Sequence, residues 1–152
     1  MKEIWVVKSY MMEKPWGHEQ TWISGDHGQI AGKILHIKKG FRNSLKYNQI
    51  KDETLFVLSG RLLLTYANEE FKEHKTFRSR YIDQGETINI QSGCPYRFKA
   101  VKDSVIVEIG SRATSSGAVV RFHDDYGRHN SSPDQMVHEL AQRSEDNIES
   151  SK

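Results

Sequence analysis

Lys46 and Asn48 stand two residues apart in the short run Ser44–Asn48, and Glu53 opens the next run after a gap of four residues. Side chains at i and i+2 of one strand share a face, so Lys46 and Asn48 point the same way and a glutamate from the following strand can meet them in one interior. A lysine buried beside a carboxylate has the chemistry for proton transfer or carbonyl polarisation, because burial disfavours the ammonium and draws its pKa towards the working range. The same residues have a second reading, an ion pair between Lys46 and Glu53 that keeps the interior neutral and only preserves the fold. Lys33, Lys38, Lys39, Arg42, Lys46 and Lys51 crowd together in the same stretch. Such a cluster can serve a phosphate group or simply solvate the edge of a sheet.

The elements that must position these groups are strands. From Glu19 to Phe122 the chain is a series of short runs rich in Val, Ile, Leu, Thr, Tyr and Phe, broken by Gly, Asn and Asp at the spacing of all-β domains. Strands are expected at Glu19–Ser24, Gln29–Lys38, Ser44–Asn48, Glu53–Leu58, Arg61–Tyr66, His74–Ile82, Glu86–Ile90, Tyr96–Ala100, Ser104–Glu108 and Ala118–Arg121. Alternation in Arg61–Tyr66 and Tyr96–Ala100 predicts one face on a core and one on solvent, which describes a sandwich or barrel without room for crossover helices. After Arg128 the composition changes. Ser132 as N-cap, Pro133 at the first helical position and Gln135 behind them predict a short helix whose Met136, Val137, Leu140 and Ala141 share one face. Ser144 to Lys152 reads as a polar, frayed tail.

The 152 residues suit one domain, with residues 1–128 forming the barrel and 129–152 the helix and tail. A net charge of +2, from 22 Lys and Arg against 20 Asp and Glu, supplies no field for a polyanion, so nucleic acid is excluded as a partner. No apolar run approaches the roughly 20 residues that cross a bilayer. The single cysteine, Cys94, and an N-terminus without a signal-peptide core point to the cytoplasm.

A longer pattern frames the candidate site. The segment Gly40 to Gly60 carries a glycine, five residues, two positions one residue apart, four residues, a glutamate, six residues and a glycine. Gly85-Glu86-Thr87-Ile88-Asn89-Ile90 to Tyr96 follows as a second motif, Lys14-Pro15-Trp16-Gly17 precedes, and Val120-Arg121-Phe122-His123-Asp124-Asp125-Tyr126-Gly127-Arg128 closes. In this collinear order from Lys14 to Arg128 the chain resembles the cupin superfamily, and within it the type II mannose-6-phosphate isomerase domain found also at the C-terminus of mannose-1-phosphate guanylyltransferases. The resemblance implies an all-β cupin (jelly-roll) barrel, here with a short C-terminal helix, and a metal site inside it.

The metal ligands of that pattern are replaced. The family's Gln and His positions hold Lys46 and Asn48, its distal His is Tyr96, and only Glu53 remains. An ammonium is a non-donor and a competing charge, so no metal and no other cofactor is expected; His36, on the strand before the first motif, is the histidine placed to rescue one, and the other six read as surface or loop positions. Lys46, Glu53 and Tyr96 become the candidate catalytic residues. Asn48, Lys51, Arg121 and Arg128 become candidate substrate-binding residues, the last three as a phosphate rim or, in the alternative, as salt bridges to Glu108, Asp124 and Asp125. Trp16 and Tyr126 offer a sugar a stacking face or belong to the core. The resemblance implies a sugar-like small-molecule ligand and a homodimer. It leads to a metal-independent isomerase- or epimerase-like enzyme of sugar-phosphate or nucleotide-sugar metabolism. The alternatives are a non-catalytic cupin acting as binder, subunit or regulator, and a metal-dependent mannose-6-phosphate isomerase.

Overall fold

The computed structural model describes residues 2–23, 30–68, 76–111, 119–128 and 133–151. Eleven strands run in the order β1 (Tyr10–Lys14), β2 (Gly17–Ile23), β3 (Ile30–Ile37), β4 (Leu45–Asn48), β5 (Glu53–Ser59), β6 (Arg61–Tyr66), β7 (Arg78–Asp83), β8 (Thr87–Ile90), β9 (Tyr96–Ala100), β10 (Ser104–Ser111) and β11 (Val119–His123), followed by helix α1 (Gln135–Ser150). They form two antiparallel sheets, one of six strands ordered β1-β2-β3-β10-β5-β8 and one of five ordered β11-β4-β9-β6-β7. The inward residues of both meet in one core that includes Leu35, Leu55, Val57, Leu62, Phe98 and Ile106. No helix among the described residues is long and apolar enough to cross a membrane. Ser24, Gln29, His74 and Ala118, expected at strand ends, and Ser132, expected as a cap, lie outside the described residues.

Sequence periodicity missed β1. Its residues are almost all exposed, so no alternation marks it; only pairing with β2, from Tyr10 opposite Thr21 to Lys14 opposite Gly17, makes it a strand. The hairpin brings Gly17 against β3 with φ 149°, where any Cβ would collide with the His36 carbonyl.

Two expectations about exposure are corrected by the helix. β6 and β9 do not turn their second face to solvent: Leu63, Thr65 and Arg97 are buried along with Leu62, Leu64 and Phe98. The cover is α1, whose Val137 and Ala141 join Leu45, Ala67 and Phe77 in a second apolar cluster. Met136, expected on the same face, is exposed. The N-cap is Asp134, whose carboxylate accepts from Val137 N at 3.1 Å, so Pro133 precedes the cap rather than opening the helix.

The tail is not frayed. Glu145, 2% exposed, takes both Arg97 Nε at 2.7 Å and Arg97 Nη2 at 2.6 Å, and Arg97 is itself fully buried. Arg42 adds bonds to Gln142 and Glu145, and Ser144 meets Ser79 at 2.7 Å. These polar anchors hold the helix as far as Ser150 although its sequence there is hydrophilic.

Removing Glu145 leaves a guanidinium in the interior without its counter-charge, so Glu145→Ala should lower the unfolding free energy by about 3 kcal/mol or more in urea titration. A second expectation concerns acid. His138 lies against His123 with ring centroids 3.6 Å apart and touches Arg97 at 3.3 Å. Burial, then His123, Arg97 and Arg42, hold its pKa down at about 4 from the usual 6.5. The folded state therefore resists a proton that the unfolded chain accepts, and stability present above pH 6.5 falls as pH drops towards 4. The melting temperature should decline through that window and the decline should flatten in His138→Gln.

Candidate functional site

The seven residues proposed from sequence line one cavity of about 250 Å³ inside the barrel. Lys46 and Asn48 reach it from β4, Glu53 from β5, Tyr96 from β9 and Arg121 from β11. Lys51 comes from the turn between β4 and β5, and Arg128 from the segment after β11. The register puts Lys46 opposite Tyr96 on one side and Arg121 on the other.

The ion pair is not the expected one. Lys51 sits between two carboxylates, 3.1 Å from Glu53 Oε1 and 3.3 Å from Glu108 Oε1. Tyr96 Oη donates to the other Glu53 oxygen at 2.6 Å, so both oxygens of Glu53 are engaged. Lys46 acts on Glu53 and Glu108 only through space. The reason lies in the turn: Asn48 Oδ1 accepts from Ile50 N at 3.1 Å and Lys51 N at 2.9 Å, which turns the chain so that Lys51 re-enters the barrel. Gly110 lets it through, since a Cβ there would strike the Lys51 stem. The Asn48 carbonyl oxygen is thus committed to the turn, and Lys51 to carboxylates rather than to a ligand.

Environment separates the titrating groups. Burial would raise Glu53, but Lys46, Lys51 and the Tyr96 hydrogen bond outweigh it and hold the carboxyl below its usual value. Burial and the nearby Glu53 push Glu108 up. Burial, with Glu53 and Glu108 added, pushes Tyr96 well above its usual value and keeps the phenol protonated. For Lys51, burial is overcome by Glu108 and Glu53 and the ammonium is reinforced. For Lys46 burial wins, helped by Arg121 and Arg128, and the pKa falls. Burial thus moves Lys46 and Glu108 each towards its neutral form.

Sequence reasoning gave Glu108 only as a salt-bridge partner and Lys33 only as part of a basic cluster, and missed Glu19 and Lys14 as site residues. Glu19, 8% exposed, pairs with Lys33 at 3.1 Å and Lys14 at 3.7 Å within the same lining. The signal was phase: Glu108 shares an inward face with Ser104 and Ile106, and Lys33 with Leu35 and Ile37. A charge in step with apolar core positions marks an interior site.

The lining therefore holds six cations (Lys14, Lys33, Lys46, Lys51, Arg121 and Arg128) and three carboxylates, Glu19, Glu53 and Glu108. Arg128 is held by Asp124, at 2.7 Å and 2.9 Å, and its guanidinium lies 5.9 Å from the centre of the Tyr126 ring. Arg121, in contrast, has Nε and Nη1 buried with no hydrogen-bond partner. Trp16 lines the cavity as well as the core. Tyr126 instead packs on the core and donates to the Arg42 carbonyl at 2.7 Å.

A divalent cation needs several neutral or anionic donors converging. Among the described residues no three His, Cys, Asp or Glu side chains do so. Glu53 is saturated by Lys51 and Tyr96, and two ammonium groups share its space. His36 is no rescue: it alternates out of phase with the inward Leu35 and Ile37 and stacks on His18 with centroids 4.2 Å apart. His27, His74 and His129 lie outside the described residues. The donor set does not fit a metal.

Solved structures share this architecture. An oxalate decarboxylase from Lactobacillus farciminis, crystallised as a formate complex, aligns at a TM-score of 0.60 and 17% identity over 72% of this chain and 32% of its own. The capsular polysaccharide assembling protein CapF from Staphylococcus aureus aligns at 0.59 and 15%, over 75% of this chain and 32% of that one. KdgF from a Halomonas species aligns at 0.55 and 12%, over 68% and 88%. The fold is a cupin jelly roll. The chain spans about a third of the length of the first two, and at these identities the likeness is one of fold. No protein-family model matches the chain, and no curated protein does.

The cupin interior makes the two lysines unequal. Lys51→Met should strand Glu53 and Glu108 and cost about 3 kcal/mol or more. Lys46→Met, which removes a desolvated charge without a direct partner, should change stability by about 1 kcal/mol or less. Urea unfolding of both variants checks the order; the reverse order would make Lys46 the counter-ion.

Proposed function

We propose that this cupin-type protein binds a small anionic sugar-like molecule in its barrel and acts on it as a metal-independent isomerase or epimerase. The observation that carries the reading is Arg121. A half-buried guanidinium whose Nε and Nη1 are shut from water without a partner is costly unless an acceptor arrives, and the excess of cations around it favours an anion. A phosphate or carboxylate of the ligand is the natural acceptor, held as charge-assisted hydrogen bonds hold such groups.

Seated there, the ligand lies beside Lys46. As an amine, Lys46 takes a proton from a carbon next to a carbonyl, and as an ammonium it returns it to the same or the neighbouring position, so no oxidant is needed. The charge that develops on the carbonyl oxygen is met by the cationic groups of the lining. Tyr96, first taken as catalytic with Glu53, donates to Glu53, which is paired in turn with Lys51; the role of the two in this reading is to hold the floor of the cavity rigid. The collinear frame from Lys14 to Arg128 supports a ligand of the sugar-phosphate or nucleotide-sugar class, handled in the cytoplasm.

That locked Tyr96–Glu53–Lys51 unit also favours a second reading, a binder without turnover, since two expected catalytic groups are occupied. A metal-dependent mannose-6-phosphate isomerase is the reading that the donor set supports least.

Thermal-shift screening of sugar phosphates and nucleotide sugars, followed by NMR of the reaction mixtures, tests the proposal. One class should raise the melting temperature and be converted. Arg121→Ala should lose the shift, and Lys46→Met should keep the shift and lose turnover. A shift without product would select the binder. Activity abolished by chelator and restored by zinc would overturn the metal-free mechanism.

A further inference from the structure

Four lysines line the barrel cavity, and three of them are paired. Lys14 and Lys33 meet Glu19 at 3.7 Å and 3.1 Å, and Lys51 meets Glu53 and Glu108 at 3.1 Å and 3.3 Å. Lys46 is the exception: among the described residues it makes no hydrogen bond and no ion pair, and feels its neighbours only through space. Those neighbours explain why. Tyr96, opposite Lys46 on β9, gives its hydroxyl to Glu53, and both Glu53 oxygens are already taken. Arg121, opposite it on β11, is itself a cation. Burial, with Arg121 and Arg128 added, therefore prevails over Glu53 and Glu108 and moves Lys46 towards the neutral amine.

A neutral amine with a free lone pair is a nucleophile, and its usual electrophile is a carbonyl carbon. A desolvated lysine beside a second cation is the environment that activates it for this reaction. The cavity adds aim. The backbone of Arg121 lies one strand over from Lys46, about 4.8 Å away, and its Nε and Nη1 have no partner. An anionic group bound there leaves the next atoms of the same molecule beside Nζ of Lys46. At about 250 Å³ the space is smaller than the roughly 300–1,000 Å³ of pockets for drug-sized ligands, so it selects a short molecule.

We infer that Lys46 is a covalent capture site whose Nζ forms an imine with a small aldehyde or ketone carrying a phosphate or carboxylate. The lone pair bonds to the carbonyl carbon as the C=O π pair moves to oxygen, and that oxygen takes the proton that nitrogen gives up. The carbinolamine then loses its hydroxyl and the remaining N–H proton as water, leaving C=N. No oxidant or reductant enters, and water reverses the step. The inference rests on the reading of the cavity as an anion site but not on turnover, since a binder holds such an adduct as well as an enzyme does. For a ligand of this kind it makes Lys46 the electron sink rather than the base, which weakens the same neighbouring C–H bond.

Sodium cyanoborohydride reduces an imine to a stable secondary amine, so peptide mass mapping of the treated full chain reads the site. Near neutral pH, glycolaldehyde phosphate should label Lys46 at least about tenfold faster than exposed lysines such as Lys38 and Lys102. Inorganic phosphate should slow that labelling, and Arg121→Ala should cut it about tenfold while leaving the reaction of neutral glycolaldehyde with Lys46 unchanged. Lys46→Met should lose the cavity adduct without a new one at Lys51. Circular dichroism checks that both variants fold; should Arg121→Ala fail to, competition by phosphate on the unaltered chain takes its place. Lys46 left unlabelled, or labelled no faster than the exposed lysines by either aldehyde, overturns the inference even where phosphate binds. Selective labelling of Lys46 by both aldehydes at equal rates supports the imine and overturns the anion site beneath it.

Discussion

An ammonium held between two carboxylates inside a barrel is the constraint around which this molecule is arranged. Glu53 and Glu108 stand on neighbouring strands with their side chains in the interior, and two buried like charges would drive those strands apart. Lys51 resolves the conflict. For it to do so, the chain after β4 has to turn on Asn48, Gly110 has to lack a side chain, and Tyr96 has to supply the remaining hydrogen bond to Glu53. Side chains from β5, β9 and β10 and from the turn after β4 thus meet in one cluster of charges. From it follows the freedom of Lys46, which is left without a direct partner because another lysine has taken the carboxylates.

The barrel was legible because its information is local. Ten of the strands announce themselves by short β-rich runs and by the glycines and turn residues between them, and the spacing from Gly40 to Gly60 sets which residues look inward. Alternation put Lys46 and Asn48 on one face within reach of Glu53, the family resemblance supplied Lys51, Tyr96, Arg121 and Arg128, and all seven line the cavity. What sequence could not supply was the pairing within it. Lys51 lies in a turn, where no period tells inside from outside, and its entry depends on a carbonyl oxygen three residues back. Lys46 was on a strand and in phase, so it drew the assignment that belonged to Lys51.

The other differences have the same origin at longer range. β1 carries no alternation because both its faces are exposed, and its existence depends on a partner strand rather than on its own residues. The C-terminal residues look like a solvated tail because Glu145, Gln142 and Ser144 find their partners in Arg97, Arg42 and Ser79, far away along the chain. Polar contacts between remote segments leave no periodic trace, whereas apolar ones do. The outer face of β2, β3, β10, β5 and β8 is the converse case: its lack of Asp, Glu, Lys and Arg was present in the sequence from the start, but only the register shows that those residues form one surface.

Helix and barrel are joined by a bond that ties their histories together. Arg97 lies in the middle of β9 with no exposed surface, and its counter-charge is Glu145 on the helix. The same helix that buries Arg97 brings the carboxylate that neutralises it, so the desolvation of the guanidinium and its compensation are made in one docking step.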